Sequence, residues 1–239
     1  MSGANADRAA GAGADADADP GTRIREAACM IVVDRSGPDV RVLMGRRRET
    51  QIFLPNKLVF PGGRVDADDH TLAASLTHTP SAVTHALPPA LHAFAFAGVR
   101  ELLEEAGLAV AQRGADAAVR PLPGGWHAFS HLGLMPDLTA LTPAARAITP
   151  PGRIRRYDTW FFMVDRAHTR DGLAEPDGEL LDLGWYGLAD AAALDLAHIT
   201  RLVLADLADV LATARPAQDA GVPFYYHDGE ANRRTRIHP

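Results

Sequence analysis

Within RELLEEAGL, residues 100–108, three glutamates fall within five positions: Glu101, Glu104 and Glu105. They stand at i, i+3 and i+4, so a helix projects their carboxylates from one face within a single turn. Val99, Leu102, Leu103 and Leu108 surround them, the pattern of a helix that packs against something. Like charges at these spacings oppose an isolated helix by about 0.2–0.5 kcal/mol per pair, so the fold has to offset that repulsion. Two arrangements do so. One is a solvated acidic face with Arg100 as a local cation. The other is a divalent ion, because hard oxygen ligands on a rigid turn suit Mg²⁺ or Mn²⁺ and the ion reverses the local electrostatics.

The chain around this helix has 239 residues, 47% of them hydrophobic, enough for one sizeable core. No run approaches the ~18 apolar residues of a membrane span, and the N-terminus does not look like a signal peptide. With a single cysteine, Cys29 in AACMIVV, no intrachain disulfide is possible, and the residue reads as part of a core in a reducing compartment. The net charge of −6 argues against nonspecific nucleic-acid binding. These features lead us to expect a soluble, cytoplasmic protein with no nucleic-acid or membrane partner.

Residues 1–22 are rich in Ala, Gly and Asp, with no large apolar residue after Met1, and are expected to be a disordered acidic tail. CMIVV and VRVLM, separated by the turn cluster DRSGPD, read as a strand pair. KLVF follows and stops at Pro61-Gly62-Gly63. Residues 70–89 show no period, and a helical pattern then runs from about Pro89 to Ala106, with Gly107 placed to end it. YDTWFFMV, residues 157–164, is expected as an interior strand, and DLGWYGL as one more short strand. Val203, Leu207, Val210 and Leu211 mark a last helix with Thr200 available as N-cap. Residues 222–239 lose the pattern and end in RRTRIHP, which reads as a solvated tail. Strands with helices at intervals and no regular βαβ repeat predict an α+β fold.

FPGGRVDADD precedes the glutamate helix, and with RELLEEAGL it resembles the Nudix box, G-x5-E-x7-R-E-U-x-E-E-x-G-U with U aliphatic. The second half matches at Arg100, Glu101, Leu102, Glu104, Glu105, Gly107 and Leu108. For its five fixed residues, a chance match in a chain this long has a probability on the order of 10⁻⁴. The first half departs from the pattern. Six positions after Gly63 stands Asp69 rather than Glu, and 30 residues instead of seven separate it from Arg100, an insertion of 23. Loops tolerate such growth because closure entropy rises slowly with length. The interrupted box, together with RRYDTWFF at residues 155–162, is most similar to a Nudix subgroup that includes the peroxisomal coenzyme A diphosphatases. The resemblance covers roughly residues 27–212. It implies a Nudix domain over 23–215, a 70–89 insertion within the box and a C-terminal extension over 216–239.

The resemblance implies an α/β/α sandwich with a mixed sheet, the catalytic helix following the Gly-Gly turn. It also implies hydrolysis of a nucleoside diphosphate linked to another moiety, supported by Mg²⁺ or Mn²⁺. Glu101, Glu104 and Glu105 take the place of metal ligands and catalytic acids, joined by Gly63, while Arg100 holds Glu101 in position. Gly62 and Gly63 let backbone approach the metal and phosphate. EPDGELLDLGW offers Glu179, with Glu175 second, as the later acid that family members often supply. Asp66 and Asp69 are further acids near the metals. Among Arg46, Arg47, Arg48, Arg153, Arg155 and Arg156, we single out Arg46 and Arg156 for the substrate's diphosphate or a 3′-phosphate. His78, His85 and His92 read as loop histidines because Pro80, Pro88 and Pro89 interrupt any helix aligning them, and Trp126, Trp160 and Trp185 as core aromatics rather than base stackers. The best single substrate is coenzyme A or an acyl-CoA. Alternatives are ADP-ribose, a dinucleotide or a nucleotide sugar, or a catalytically silent nucleotide-sensing module. A homodimer is compatible with the sequence.

Overall fold

The computed structural model describes residues 23–77, 87–113, 122–213 and 221–239. The expected acidic tail and two of the three histidines, His78 and His85, lie outside them. In chain order the strands are β1 (Ile24–Asp34), β2 (Arg41–Arg47), β3 (Leu58–Val59), β4 (Gly62–Arg64), β5 (Ala111–Arg113), β6 (Leu134–Pro136), β7 (Thr142–Ile148), β8 (Arg156–Asp165), β9 (Leu180–Gly187), β10 (Val222–His227) and β11 (Asn232–Ile237). The helices are α1 (Ala67–Thr77), α2 (His92–Ala106), α3 (His127–His131), α4 (Leu188–Ala193) and α5 (His198–Thr213).

Nine strands form one mixed sheet in the order β11-β10-β7-β8-β1-β2-β3, with β4 also on β1 and β9 on β2. β1 and β8 run parallel at its centre, in register from Ile24 opposite Arg156 to Val33 opposite Asp165. Their inner stretches, 27–33 of β1 and 160–164 of β8, are covered on both faces and so run apolar without alternating. Met30, Val32, Trp160 and Phe162 face α2, packing with Phe96, Leu102 and Leu103. Ile31, Val33, Met44 and Phe161 face the opposite way, against Leu204 and Leu207 of α5. One sheet between two helical layers is the α/β/α sandwich expected. CMIVV and VRVLM are the antiparallel pair β1 and β2, with Val33 opposite Val42. RRYDTWFFMV is the interior strand β8. Gly107 ends α2 in the left-handed conformation, φ 67°, its N–H on the Leu103 carbonyl.

Four local expectations are corrected. Of residues 70–89, which show no period in the sequence, 70–77 lie in α1 (Ala67–Thr77). The helix starts after Asp66, whose carbonyl accepts from the Asp69 and His70 N–H groups while the Asp69 carboxylate accepts from the Asp66 N–H at 2.9 Å, the return half of a capping box. His92 is the buried first residue of α2, with Nε2 3.0 Å from the Leu87 carbonyl, not a loop histidine. Thr200 lies buried within the first turn of α5, which starts at His198, so it is not the N-cap. Residues 222–237 are a hairpin: β10 pairs parallel with β7 and antiparallel with β11, extending the sheet. Val222 and Tyr225 are buried in the two core layers, an anchorage that a solvated tail does not have.

Candidate active site

β4 pairs with β1 so that Cys29 opposes Gly62, Ala28 opposes Gly63 and Ala27 opposes Arg64. This register places the Pro61-Gly62-Gly63 turn under the C-terminal half of α2. The Gly62 N–H donates to a Glu105 carboxylate oxygen at 2.7 Å. Gly62 has φ 154°, and a Cβ there would come 2.2 Å from the Ala28 carbonyl oxygen. At Gly63 a Cβ would stand 2.4 Å from the Glu101 carboxyl carbon. Glycine at both positions lets backbone lie directly against two of the three box carboxylates.

Arg100 is almost wholly buried and its five N–H donors all have acceptors. Nε and Nη2 make a bidentate pair with Asp69 at 3.1 and 3.0 Å. Nη1 donates to Glu101 at 2.9 Å and Glu104 at 3.0 Å, and Nη2 also to the Arg64 carbonyl at 3.0 Å. Burial works to lower the Arg100 pKa, but its hydrogen bonds to Asp69 and the charges of Glu101, Asp69 and Glu104 outweigh it and hold the guanidinium charged. Asp69 has no exposed surface. It also accepts from Trp126 Nε1 at 3.1 Å and from the Asp66 N–H. The acid expected near the metals is thus turned onto Arg100, where it positions the residue that positions Glu101 and Glu104. Asp66 stays exposed, 3.9 Å from Arg100.

One guanidinium does not balance the charge collected here. Burial, with the charges of Glu104 and Glu179 added, pushes Glu101 up to about 7 despite Arg100. Burial pushes Glu105 up to about 8, with the Glu101 and Asp177 charges raising it further and the Gly62 N–H and Arg47 opposing. Glu104 is also raised, first by burial. Such carboxylates are short of positive charge, the condition a bound cation relieves. Among the described residues no three His, Cys, Asp or Glu side chains already converge as a metal cage. Arg100 Nη1 bridges Glu101 and Glu104 and draws both towards itself. The donor set, all hard oxygen beside a glycine cradle, suits an ion that completes its shell with water and phosphate oxygens, as Mg²⁺ commonly does.

Glu179 is exposed on the loop before β9, 3.4 Å from Gln51 Nε2, and its charge acts on Glu101. Glu175 is exposed on the same loop. The loop's third acid, Asp177, was not among the sequence candidates, yet its charge acts on Glu104 and Glu105, and its N–H donates to the Glu104 carbonyl at 2.9 Å. The only sequence signal for it was its place within EPDGE. Arg46 is ion-paired with Asp182 at 2.8 Å. Its neighbour Arg47, not singled out, is the arginine whose charge reaches Glu105. Arg156 opens β8 with Nε on the Thr149 carbonyl at 3.0 Å. Trp126 and Trp160 are buried core residues as expected, and Trp185 lies beneath the Arg166 guanidinium.

No protein-family profile matches the chain. Among solved structures, a NUDIX hydrolase from Alicyclobacillus acidocaldarius superposes with a TM-score of 0.60 at 29% identity, over 77% of this chain and 90% of that one. The NUDIX domain of Shewanella oneidensis NrtR complexed with ADP ribose is 12% identical with a TM-score of 0.46, over 80% and 90%. A MutT NUDIX hydrolase from Burkholderia pseudomallei is 19% identical with a TM-score of 0.44, over 77% and 98%.

Proposed function

We propose that this chain, a pyrophosphohydrolase of Nudix fold, cleaves the diphosphate of a nucleoside diphosphate joined to another moiety, with coenzyme A or an acyl-CoA as the best single substrate. The observation that carries this reading is the glycine turn seated on Glu101 and Glu105, whose carboxyls are held raised by burial and by neighbouring negative charge. Glu101, Glu104 and Glu105, with Gly63 and Glu179 at the margin, are the residues to hold Mg²⁺ or Mn²⁺. When bound, such an ion neutralises diphosphate charge and lowers the pKa of a coordinated water. The protein's own contribution is orientation. Arg100 keeps Glu101 and Glu104 at fixed rotamers, Asp69 and Trp126 fix Arg100, and the Gly62 N–H fixes Glu105. The bare Gly63 backbone leaves room for the Glu101 carboxylate to lie against the turn, with Arg46 and Arg156 as candidate phosphate contacts.

The test is phosphate release, coupled to a phosphatase, from coenzyme A, acyl-CoA, ADP-ribose, NADH, diadenosine polyphosphates and nucleotide sugars, each with Mg²⁺, Mn²⁺ or EDTA. Turnover of one compound that needs metal, and that falls on the order of 10²-fold or more in Glu104→Gln and Glu105→Gln, is expected. Binding without turnover of any compound would falsify the hydrolase reading in favour of a sensor.

A further inference from the structure

β1 and β8 begin side by side, with Ile24 opposite Arg156. At this end of the sheet Arg23, Arg25, Ile52, Ile154, Arg155 and Arg156 surround a cavity of about 210 Å³, and none of the six is acidic. The two acids next along the strands are turned to other partners, Glu26 to His70 at 2.9 Å and Asp158 to Arg146 at 2.6 Å. Arg153, exposed just before Ile154, adds a fifth positive charge. The net charge of −6, which argued against an anionic partner, is a sum over the whole chain and conceals this local concentration of one sign.

Singly exposed apolar residues need no explanation, but these are grouped with arginines. Ile52 at 61% and Ile154 at 71% exposure are the two most exposed large hydrophobic residues among those described, and both line the cavity. Ile24, also exposed, stands between Arg23 and Arg25. The two lining isoleucines project from held backbone. Next to Ile52, the Phe53 carbonyl accepts from Arg47 Nε at 2.8 Å, and the Phe53 ring packs edge-on against Tyr157 at 4.9 Å. The turn that carries Ile154 is closed by Thr149, whose carbonyl accepts from Arg156 Nε at 3.0 Å and whose hydroxyl accepts from the Tyr157 N–H at 3.1 Å. Guanidinium forks match phosphate oxygens, and aliphatic side chains protruding beside them match the hydrocarbon beneath a headgroup layer. The cavity is smaller than the roughly 300–1,000 Å³ that encloses a whole ligand, a size suited to one headgroup phosphate. Single-stranded nucleic acid offers the same phosphates but is gripped by stacking on aromatic rings, and no lining residue is aromatic.

We infer that this patch docks the protein on an anionic lipid bilayer, the arginines taking headgroup phosphates while Ile52 and Ile154 enter the boundary of the acyl chains. No helix among the described residues is long and apolar enough to cross a membrane, so the contact is peripheral. The test is co-sedimentation of the full chain with vesicles of phosphatidylcholine alone and of phosphatidylcholine mixed with phosphatidylserine, at low and at raised salt. The full chain is the form to use because Asp15, Asp17 and Asp19 precede Arg23 and their charge opposes the attraction. Partition onto the anionic vesicles is expected to exceed that onto phosphatidylcholine by about 10-fold or more and to weaken with salt. Arg25→Gln/Arg155→Gln is expected to lower it about 10-fold. Ile52→Ser/Ile154→Ser is expected to lower it by a similar factor with the melting temperature unchanged. The isoleucine pair carries no charge, so its effect separates insertion from charge attraction alone. No partition onto anionic vesicles, or partition that survives Ile52→Ser/Ile154→Ser, overturns the surface. Binding to a single-stranded RNA oligonucleotide in place of the vesicles assigns the arginines to nucleic acid and overturns it as well. Phosphate release is not read in this assay, so a failure of the proposed hydrolysis leaves its result unaffected.

Discussion

Arg100 makes five hydrogen bonds to partners from three segments: α1, β4 and its own helix. Its removal leaves Asp69 charged with no exposed surface, the case in which breaking a buried pair costs about 3–5 kcal/mol. Arg100→Gln is expected to lower the urea midpoint accordingly. Trp126→Phe keeps most of the packing and loses one hydrogen bond, with an expected cost of about 0.5–1.5 kcal/mol in the same measurement. Gly63→Ala behaves differently. Its Cβ would displace the Glu101 carboxylate from 2.4 Å, so metal-dependent turnover is expected to fall about 10²-fold with the melting temperature nearly unchanged. The raised Glu101 and Glu105 carboxyls bind protons more tightly in the folded chain than in the unfolded one. Metal-free stability therefore falls as pH rises from near 4.5 through about 7 and 8. A divalent ion favours the ionised carboxylates, so the rise in melting temperature it produces should be larger at pH 8 than at pH 6, a comparison made by scanning calorimetry at both values.

At the scale of elements, the described start of the interrupting segment belongs to α1, a helix that supports the site. α1 presents Asp69 to Arg100 and Asp68 to the Gly125 N–H at 2.7 Å, fastening the turn that carries Trp126. Asp68→Ala removes that bond and an acid from the first turn of α1, and is expected to cost about 0.5–2 kcal/mol by urea denaturation. RELLEEAGL could be read as a helix because its information is local: spacing, apolar flank and terminal glycine all lie within one segment. The role of Asp69 could not be read that way. Its partner stands 31 positions away, and the capping exchange at Asp66 is weak evidence of a helix until Arg100 and Trp126 are known to converge on it. The C-terminal hairpin was missed for a related reason. β11 is largely exposed and β10 only partly buried, so neither shows the apolar run that marked β8.

For the whole molecule, the hairpin closes one side of the sheet. Ending the chain at residue 221 strips β10 from β7, removes Tyr225 from the α5 layer, and leaves β7 as an exposed edge. The truncated protein is expected to associate, measured as growth in particle mass by light scattering, while the full chain does not. The sequence by itself determined the acidic helix, the central apolar strands and the glycine turn, because each depends on residues within a few positions of one another. Which acid faces Arg100, which arginine's charge reaches Glu105, and how the 222–237 segment joins the sheet were decided only by tertiary structure. Those outcomes depend on strand register and helix docking, which bring together charges far apart in the chain and fix, by burial, how much each one matters.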